Sequence, residues 1–201
     1  MSSGISKKIK MESGGEKKRK IEEEAIPLLR KVISGGQTGA DMAGLLAAQK
    51  AGLETGGTYA PGQKQETLLK SLGLTPLTGA AASFAAALCR RSMKNVDDSD
   101  ATVAFRTHAS PGTDKTIGYC VTRKWQTVSV VASDSGYRPV LVISDMSSPE
   151  AKATLIEFLK RHRVSTLNVA GHRASAADNP GGWQERVEAF LADVFTLFVS
   201  S

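Results

Sequence analysis

The feature that most constrains this chain is a repeated order in which a short apolar run leads through a small-residue turn into a helix-length stretch. Residues 31–34 (KVIS), 55–59 (TGGTY), 101–105 (ATVAF), 139–144 (PVLVIS) and 166–170 (TLNVA) read as strands. Between and after them, 39–51, 83–94, 113–124, 148–161 and 183–198 read as helices. Ser83 is placed as an N-cap, and Ser148 with Pro149 as an N-cap and first helical residue. Strands separated by helices require right-handed crossovers, so the expected fold is α/β: a Rossmann-like, doubly wound, mostly parallel sheet with helices on both faces. Residues 126–138 fit this order badly, since TVSVVAS alternates like a strand and Asp134-Ser135-Gly136 reads as a turn. An extra strand or hairpin is expected there.

Length allows one domain, because 201 residues match a single unit with a tail. No apolar run of about 18 residues is present to cross a membrane. Cys89 and Cys120 are too few for a disulfide framework and lack zinc-site spacing, which points to a reducing, cytoplasmic setting. The net charge of +6 is unevenly placed: Lys7, Lys8, Lys10, Lys17, Lys18, Arg19 and Lys20 stand against Glu12 and Glu16 in the first 20 residues, leaving the remainder within one charge of neutral. Residues 1–25 are therefore expected to be a disordered basic arm, and 26–201 the folded domain. The arm is the one place from which nucleic-acid binding is expected, as against a nuclear address or a plain solvated tail.

Chemistry in such a sheet sits beyond the carboxyl ends of the strands. The first exit, Ser34-Gly35-Gly36-Gln37-Thr38-Gly39-Ala40-Asp41, has glycines before a helix and reads either as an anion-binding turn or as a tight strand-to-helix turn. It is neither a P-loop nor the usual dinucleotide fingerprint. Asp41 reads equally as a dipole-stabilising residue and as a ligand contact. Gly56-Gly57 reads as irregular backbone. In Ser110-Pro111-Gly112-Thr113-Asp114-Lys115-Thr116, Gly112, Thr113 and Thr116 can cradle an anionic group, or Thr113 can be an N-cap. Arg173 is either an anion clamp or a surface partner of Asp178. His108, His162 and His172 lack metal-ligand spacing, and no nucleophile elbow is present.

Taken together, VISGGQTGADMAGLLAAQKAG (32–52), TGGTYAPG (55–62), NVDDSDATVAF (95–105), SPGTDKT (110–116), LNVAGHRAS (167–175) and PGGWQERVEAFL (180–191) closely resemble the molybdenum carrier family of the SLOG superfamily, Rossmann-like proteins related to the lysine-decarboxylase-like LOG phosphoribohydrolases. The resemblance implies a site for a phosphorylated nucleotide-like or pterin ligand, with the molybdenum cofactor or a nucleotide as candidate cofactors, and a homo-oligomer. It carries site roles to Gly35, Gly36, Gln37, Thr38, Gly39 and Asp41, to Asn95, Asp98 and Asp100, to Gly112, Thr113 and Thr116, and to Arg173 and Ser175. This sequence departs from the family in Pro111-Gly112 where Gly-Gly is usual, in the length of 126–138, in the basic arm, and in Asp114-Lys115-Thr116 where LOG hydrolases carry glutamates. The expectation is a binding or carrier protein, with a phosphoribohydrolase using Asp41 or Asp114 as the alternative.

Overall fold

The computed structural model describes residues 29–127, 132–133, 136–174 and 182–199. The basic arm, Ser175 and the pairing of Arg173 with Asp178 lie outside the described residues. The elements are β1 (Lys31–Ile33), α1 (Ala40–Lys50), β2 (Glu54–Tyr59), α2 (Glu66–Ser71), β3 (Leu74–Pro76), α3 (Phe84–Asp97), β4 (Ala101–Phe105), α4 (Pro111–Thr122), β5 (Ala132–Ser133), β6 (Val140–Ile143), α5 (Ala151–Arg161), β7 (Thr166–Gly171) and α6 (Trp183–Val199).

The strands form one sheet in the order β3-β2-β1-β7-β4-β6-β5. Every neighbouring pair is parallel except β5 with β6. That antiparallel pair is the extra strand expected in 126–138. Beside it, Tyr137 donates its hydroxyl to Asp97 (3.0 Å), Arg138 donates to the Asp97 carbonyl (3.1 Å), and the segment is thereby tied beneath α3 and α4.

Strand side chains alternate between the faces, and the core divides accordingly. Val32, Val103, Phe105, Leu141, Ile143, Leu167 and Val169 pack under α1, α5 and α6 with Leu155, Phe158, Leu191 and Phe195. Ala104, Val140 and Val142 face α3 and α4, against Val96, Ile117 and Cys120. Both faces are covered, as parallel strands require.

Several boundaries differ from the sequence expectation. α2 and β3 are too short to show a period, and neither was expected. Ser83 does cap α3, its hydroxyl accepting from the Ala86 N–H at 3.1 Å. The N-cap of α5 is Glu150 rather than Ser148, because Ser148-Pro149-Glu150 forms a turn in which the Ser148 carbonyl accepts from the Ala151 N–H. α4 begins at Pro111, so Thr113 is a first-turn residue and Ser110 holds the cap position.

The order of strands fixes where a site can lie. From β1 the chain proceeds outward to β2 and β3; from β4 it crosses the other way, to the edge strand β5 and back to β6 beside β4; β7 then fills the gap between β1 and β4. The loops leaving β1, β7 and β4 therefore converge at the point where strand order reverses.

Candidate functional site

A cavity of about 500 Å³ opens at that convergence, on the face covered by α3 and α4. Its floor is Asn168 and Ala170, alternate residues of β7. Asn168 donates to the Thr102 hydroxyl at 3.1 Å, which satisfies one buried polar group with another. One wall is the face of α3 carrying Ala85, Leu88, Cys89, Ser92 and Asn95, spaced as successive turns require. The other is the start of α4, from Ser110 to Thr113 with Lys115 and Thr116, with Trp125 beyond its end. Gln37, Asp41 and Arg173 enter from the β1 and β7 loops.

The start of α4 is open. Ser110 makes no side-chain cap, Pro111 has no N–H, and the Asp114 N–H returns to the Ser110 carbonyl, so the N–H groups of Gly112 and Thr113 have no intrahelical acceptors. A Cβ built on Gly112 would meet nothing within 4 Å. Thr113 and Thr116 are buried beside it. Asp114, in contrast, is fully engaged: one carboxylate oxygen takes the Arg106 guanidinium and the other accepts from the Ser110 N–H at 3.0 Å.

The glycine loop after β1 is closed against the protein. The Gly36 N–H donates to Ser34 Oγ (3.1 Å), the Gly39 N–H to Gln184 Oε1 (2.9 Å), and the Ala40 N–H to the His172 carbonyl (3.0 Å). Of this loop and its helix start, Gln37 and Asp41 border the cavity; Gly35, Gly36, Thr38 and Gly39 are not among its lining residues. Their role is close packing: a Cβ on Gly39, at φ +99°, would lie 2.3 Å from the His172 carbonyl oxygen, and one on Gly36 would lie 2.4 Å from Leu69.

What occupies the space at Gly35 is Arg91, a residue the sequence reading missed. Its Nη1 donates to Asp41 Oδ2 at 3.1 Å, and both side chains are 8% exposed. A Cβ on Gly35 would fall 1.5 Å from Nη1, so only glycine leaves room for the guanidinium. Nε of Arg91 is buried without a hydrogen-bond partner among the described residues. Burial pushes the Asp41 carboxyl above its ordinary value, with Arg91 and then Arg173 pulling it back. The only signal in the sequence was an arginine on the otherwise inward face of α3. Burial likewise pushes the Cys89 thiol up, opposed by Lys115.

Two further carried-over residues, Asp98 and Asp100 of the polar block, do not reach the cavity. Asp98 caps the C-terminus of α3, is exposed, and pairs with Lys94 at 2.8 Å. It precedes β4 and so lies at the end of the sheet opposite the cavity. Asp100 is at that same end, its carboxylate accepting from the Ser165 and Thr166 N–H groups. The polar block is therefore divided: Asn95 lines the cavity while clasping Thr58 of β2 through both its amide atoms (2.8 and 3.1 Å).

The fold and this cavity together define a Rossmann-like α/β protein whose switch-point pocket is lined by Arg91, Arg173 and Lys115 with the open end of a helix. The chain belongs to the circularly permutated YpsA SLOG family, whose model matches residues 32–195. Among solved structures it is similar to the crystal structure of "Putative molybdenum carrier protein" from Syntrophus aciditrophicus SB, at 29% identity and a TM-score of 0.64, over 84% of this chain and 96% of that one. No curated protein matches it. Among the described residues no helix is long and apolar enough to cross a membrane, and no group of three or more His, Cys, Asp or Glu is placed to hold a metal ion.

Proposed function

We propose that this protein binds and carries a phosphorylated small molecule, nucleotide-like or pterin-like, with its phosphate at the start of α4. The observation that carries this reading is the open α4 terminus with Lys115, facing Arg91 and Arg173 across one cavity. Arg91, Arg173 and Lys115 line the cavity together with Asp41, and this concentration of cations suits an anion. The N–H groups of Gly112 and Thr113, the helix dipole and the Thr113 hydroxyl supply the donors that phosphate oxygens accept, while Thr116 donates its hydroxyl to the Gly112 carbonyl at 3.1 Å. Leu88, Ala85 and Trp125 offer apolar surface for a flat ring.

The neighbour's name concerns molybdenum, and the donor set here does not fit a bare metal ion. Among the described residues Cys89 is the one soft donor lining the cavity, and the surrounding charge suits an anion; molybdenum would enter only as part of a phosphorylated molecule. A second reading, a phosphoribohydrolase, is favoured by Asp41 alone, a cavity carboxyl whose proton affinity burial raises.

Native mass spectrometry of the purified protein, followed by calorimetric titration with nucleoside monophosphates and molybdopterin, tests the carrier reading. A bound phosphorylated species is expected, and Gly112→Asp, which fits the open space but places a carboxylate at the helix end, is expected to weaken binding by about tenfold or more. If none of these ligands is retained or bound, the proposal fails. Release of free base from a nucleoside monophosphate, lost in Asp41→Asn, would replace the carrier reading with the hydrolase.

A further inference from the structure

The strand that floors the cavity also builds the core. Leu167 and Val169 of β7 turn to the face under α1, α5 and α6, while Asn168 and Ala170 turn the other way, to the cavity. Asn168 is 2% exposed and stands in register with Ile33 of β1 and Thr102 of β4, on the central strand of the sheet. Packing alone gives no reason for an asparagine there. Strands favour branched and aromatic side chains, and a buried amide brings two polar ends that must be satisfied.

One end is satisfied within the protein. Nδ2 donates to the Thr102 hydroxyl at 3.1 Å, which holds the amide in one orientation. The other end is free: among the described residues Oδ1 accepts no hydrogen bond. The side-chain atoms that are both unpartnered and sealed inside the protein, among the described residues, are Nε of Arg91 and Nε of Arg138. Asn168 Oδ1 is not one of them, so it opens on the cavity that its residue lines. The polar side chains around it are committed to the walls. Asn95 uses both amide atoms on Thr58, Ser92 donates to the Leu88 carbonyl at 3.0 Å, and Thr116 donates to the Gly112 carbonyl. Asn168 is anchored on one side and presents an acceptor on the other.

We infer that Asn168 Oδ1 is a recognition point for the ligand's ring and accepts a hydrogen bond from an N–H on the ring edge. This rests on the phosphate site proposed above and narrows the molecule that fills it: a phosphorylated heterocycle carrying a lactam N–H or an amino group. A carbonyl or a bare ring nitrogen at the same place would set lone pair against lone pair and leave both acceptors without a partner. Ala170 beside Asn168 and Leu88 on α3 give a flat ring apolar contact next to that acceptor. A sugar hydroxyl is the other donor such a ligand brings, and the probes below separate the two.

The test is calorimetric titration of the full chain and of Asn168→Leu. The probes are the monophosphates of adenosine, inosine and guanosine, whose bases carry N–H groups; purine riboside monophosphate, with the same ring skeleton, sugar and phosphate but no N–H on the base; and ribose phosphate. At least one of the first three is expected to bind about tenfold tighter than the purine riboside compound. In Asn168→Leu that ratio is expected to fall towards one while the affinity for ribose phosphate holds. If Asn168→Leu does not fold, Thr102→Val combined with Asn168→Leu removes both ends of the buried bond and leaves neither unpaired. Equal affinities for all four nucleotides, or discrimination that survives the loss of Asn168, overturns the inference and leaves the phosphate site standing. A ribose phosphate affinity that falls with Asn168 also overturns it, since Oδ1 would then serve a sugar hydroxyl. Failure of every phosphorylated probe to bind removes both readings.

Discussion

The turn after β1 and the turn before α4 look alike in sequence: each follows a strand, contains glycine and small polar residues, and opens a helix. In the structure they have opposite fates. Around Gly35, Gly36 and Gly39 the missing side chains are replaced by other parts of the protein, namely Arg91, Leu69 and the β7 loop. At Gly112 the missing side chain leaves open space. Backbone N–H groups follow the same division, those of the first turn bonded to Ser34, Gln184 and His172, those of Gly112 and Thr113 left at a helix end. Glycine in a sequence reports that a chain can turn or be approached closely; what approaches it is decided by elements far away in the chain.

The comparison is broken most severely at Arg91. Arg91→Met would leave Asp41 buried without its counter-charge, at a cost of about 3–5 kcal/mol. Chemical denaturation measures it, and adding Asp41→Leu should recover most of the loss, since two apolar side chains replace an ion pair. If the single substitution is nearly neutral, Arg91 is not the group that closes the first turn. Gly39→Ala is next. It places a Cβ at a positive φ and against the His172 carbonyl and the Ala174 N–H, and should destabilise by roughly 3 kcal/mol, read as a lowered denaturation midpoint.

Much of the fold was legible because its signals are local. Val140 to Ile143 is an unbroken apolar run, and Ser83 sits one residue before its helix, so strand and cap could be read directly. α2 and β3 were not, since six and three residues are too few to show a period. Of the residues that family motifs carry over, Thr113, Thr116, Asn95 and Arg173 line one cavity. Asp98 was misplaced because a motif preserves order along the chain but does not say at which end of the sheet each residue falls. Arg91 was invisible for a different reason: its partners, Gly35 and Asp41, are at least 50 residues away in sequence, and nothing local marks a buried arginine as different from a solvated one.

A smaller effect distinguishes the Asp41 carboxyl from an ordinary surface carboxylate. Its native proton affinity is raised above the unfolded value, so the fold prefers the protonated form. Its contribution to stability is therefore complete below the unfolded carboxylate range and is lost as pH rises through the raised native value. Denaturation of the unsubstituted protein and of Asp41→Asn between about pH 3 and pH 7 measures this, with Asp41→Asn expected to gain relative stability as pH rises. The opposite slope would mean that Arg91 outweighs burial and that Asp41 is held as a firm carboxylate.

The smallest expected effect is also the sharpest contrast with Gly39. Gly112→Ala adds a methyl group where no atom lies within 4 Å, at a helical position without positive φ. Alanine restricts the unfolded chain and suits the helix better than glycine, so stability should rise by a few tenths of a kcal/mol, less than the ~1 kcal/mol of a mid-helix exchange because the position is in the first turn. The same methyl group enters the cavity beside the helix end, so affinity for a phosphate-bearing ligand should fall slightly while the protein becomes no less stable. A thermal melt and a phosphate titration on one preparation read both quantities. If Gly112→Ala destabilises the protein as Gly39→Ala does, both glycines serve packing, and the start of α4 loses its claim to be a binding surface.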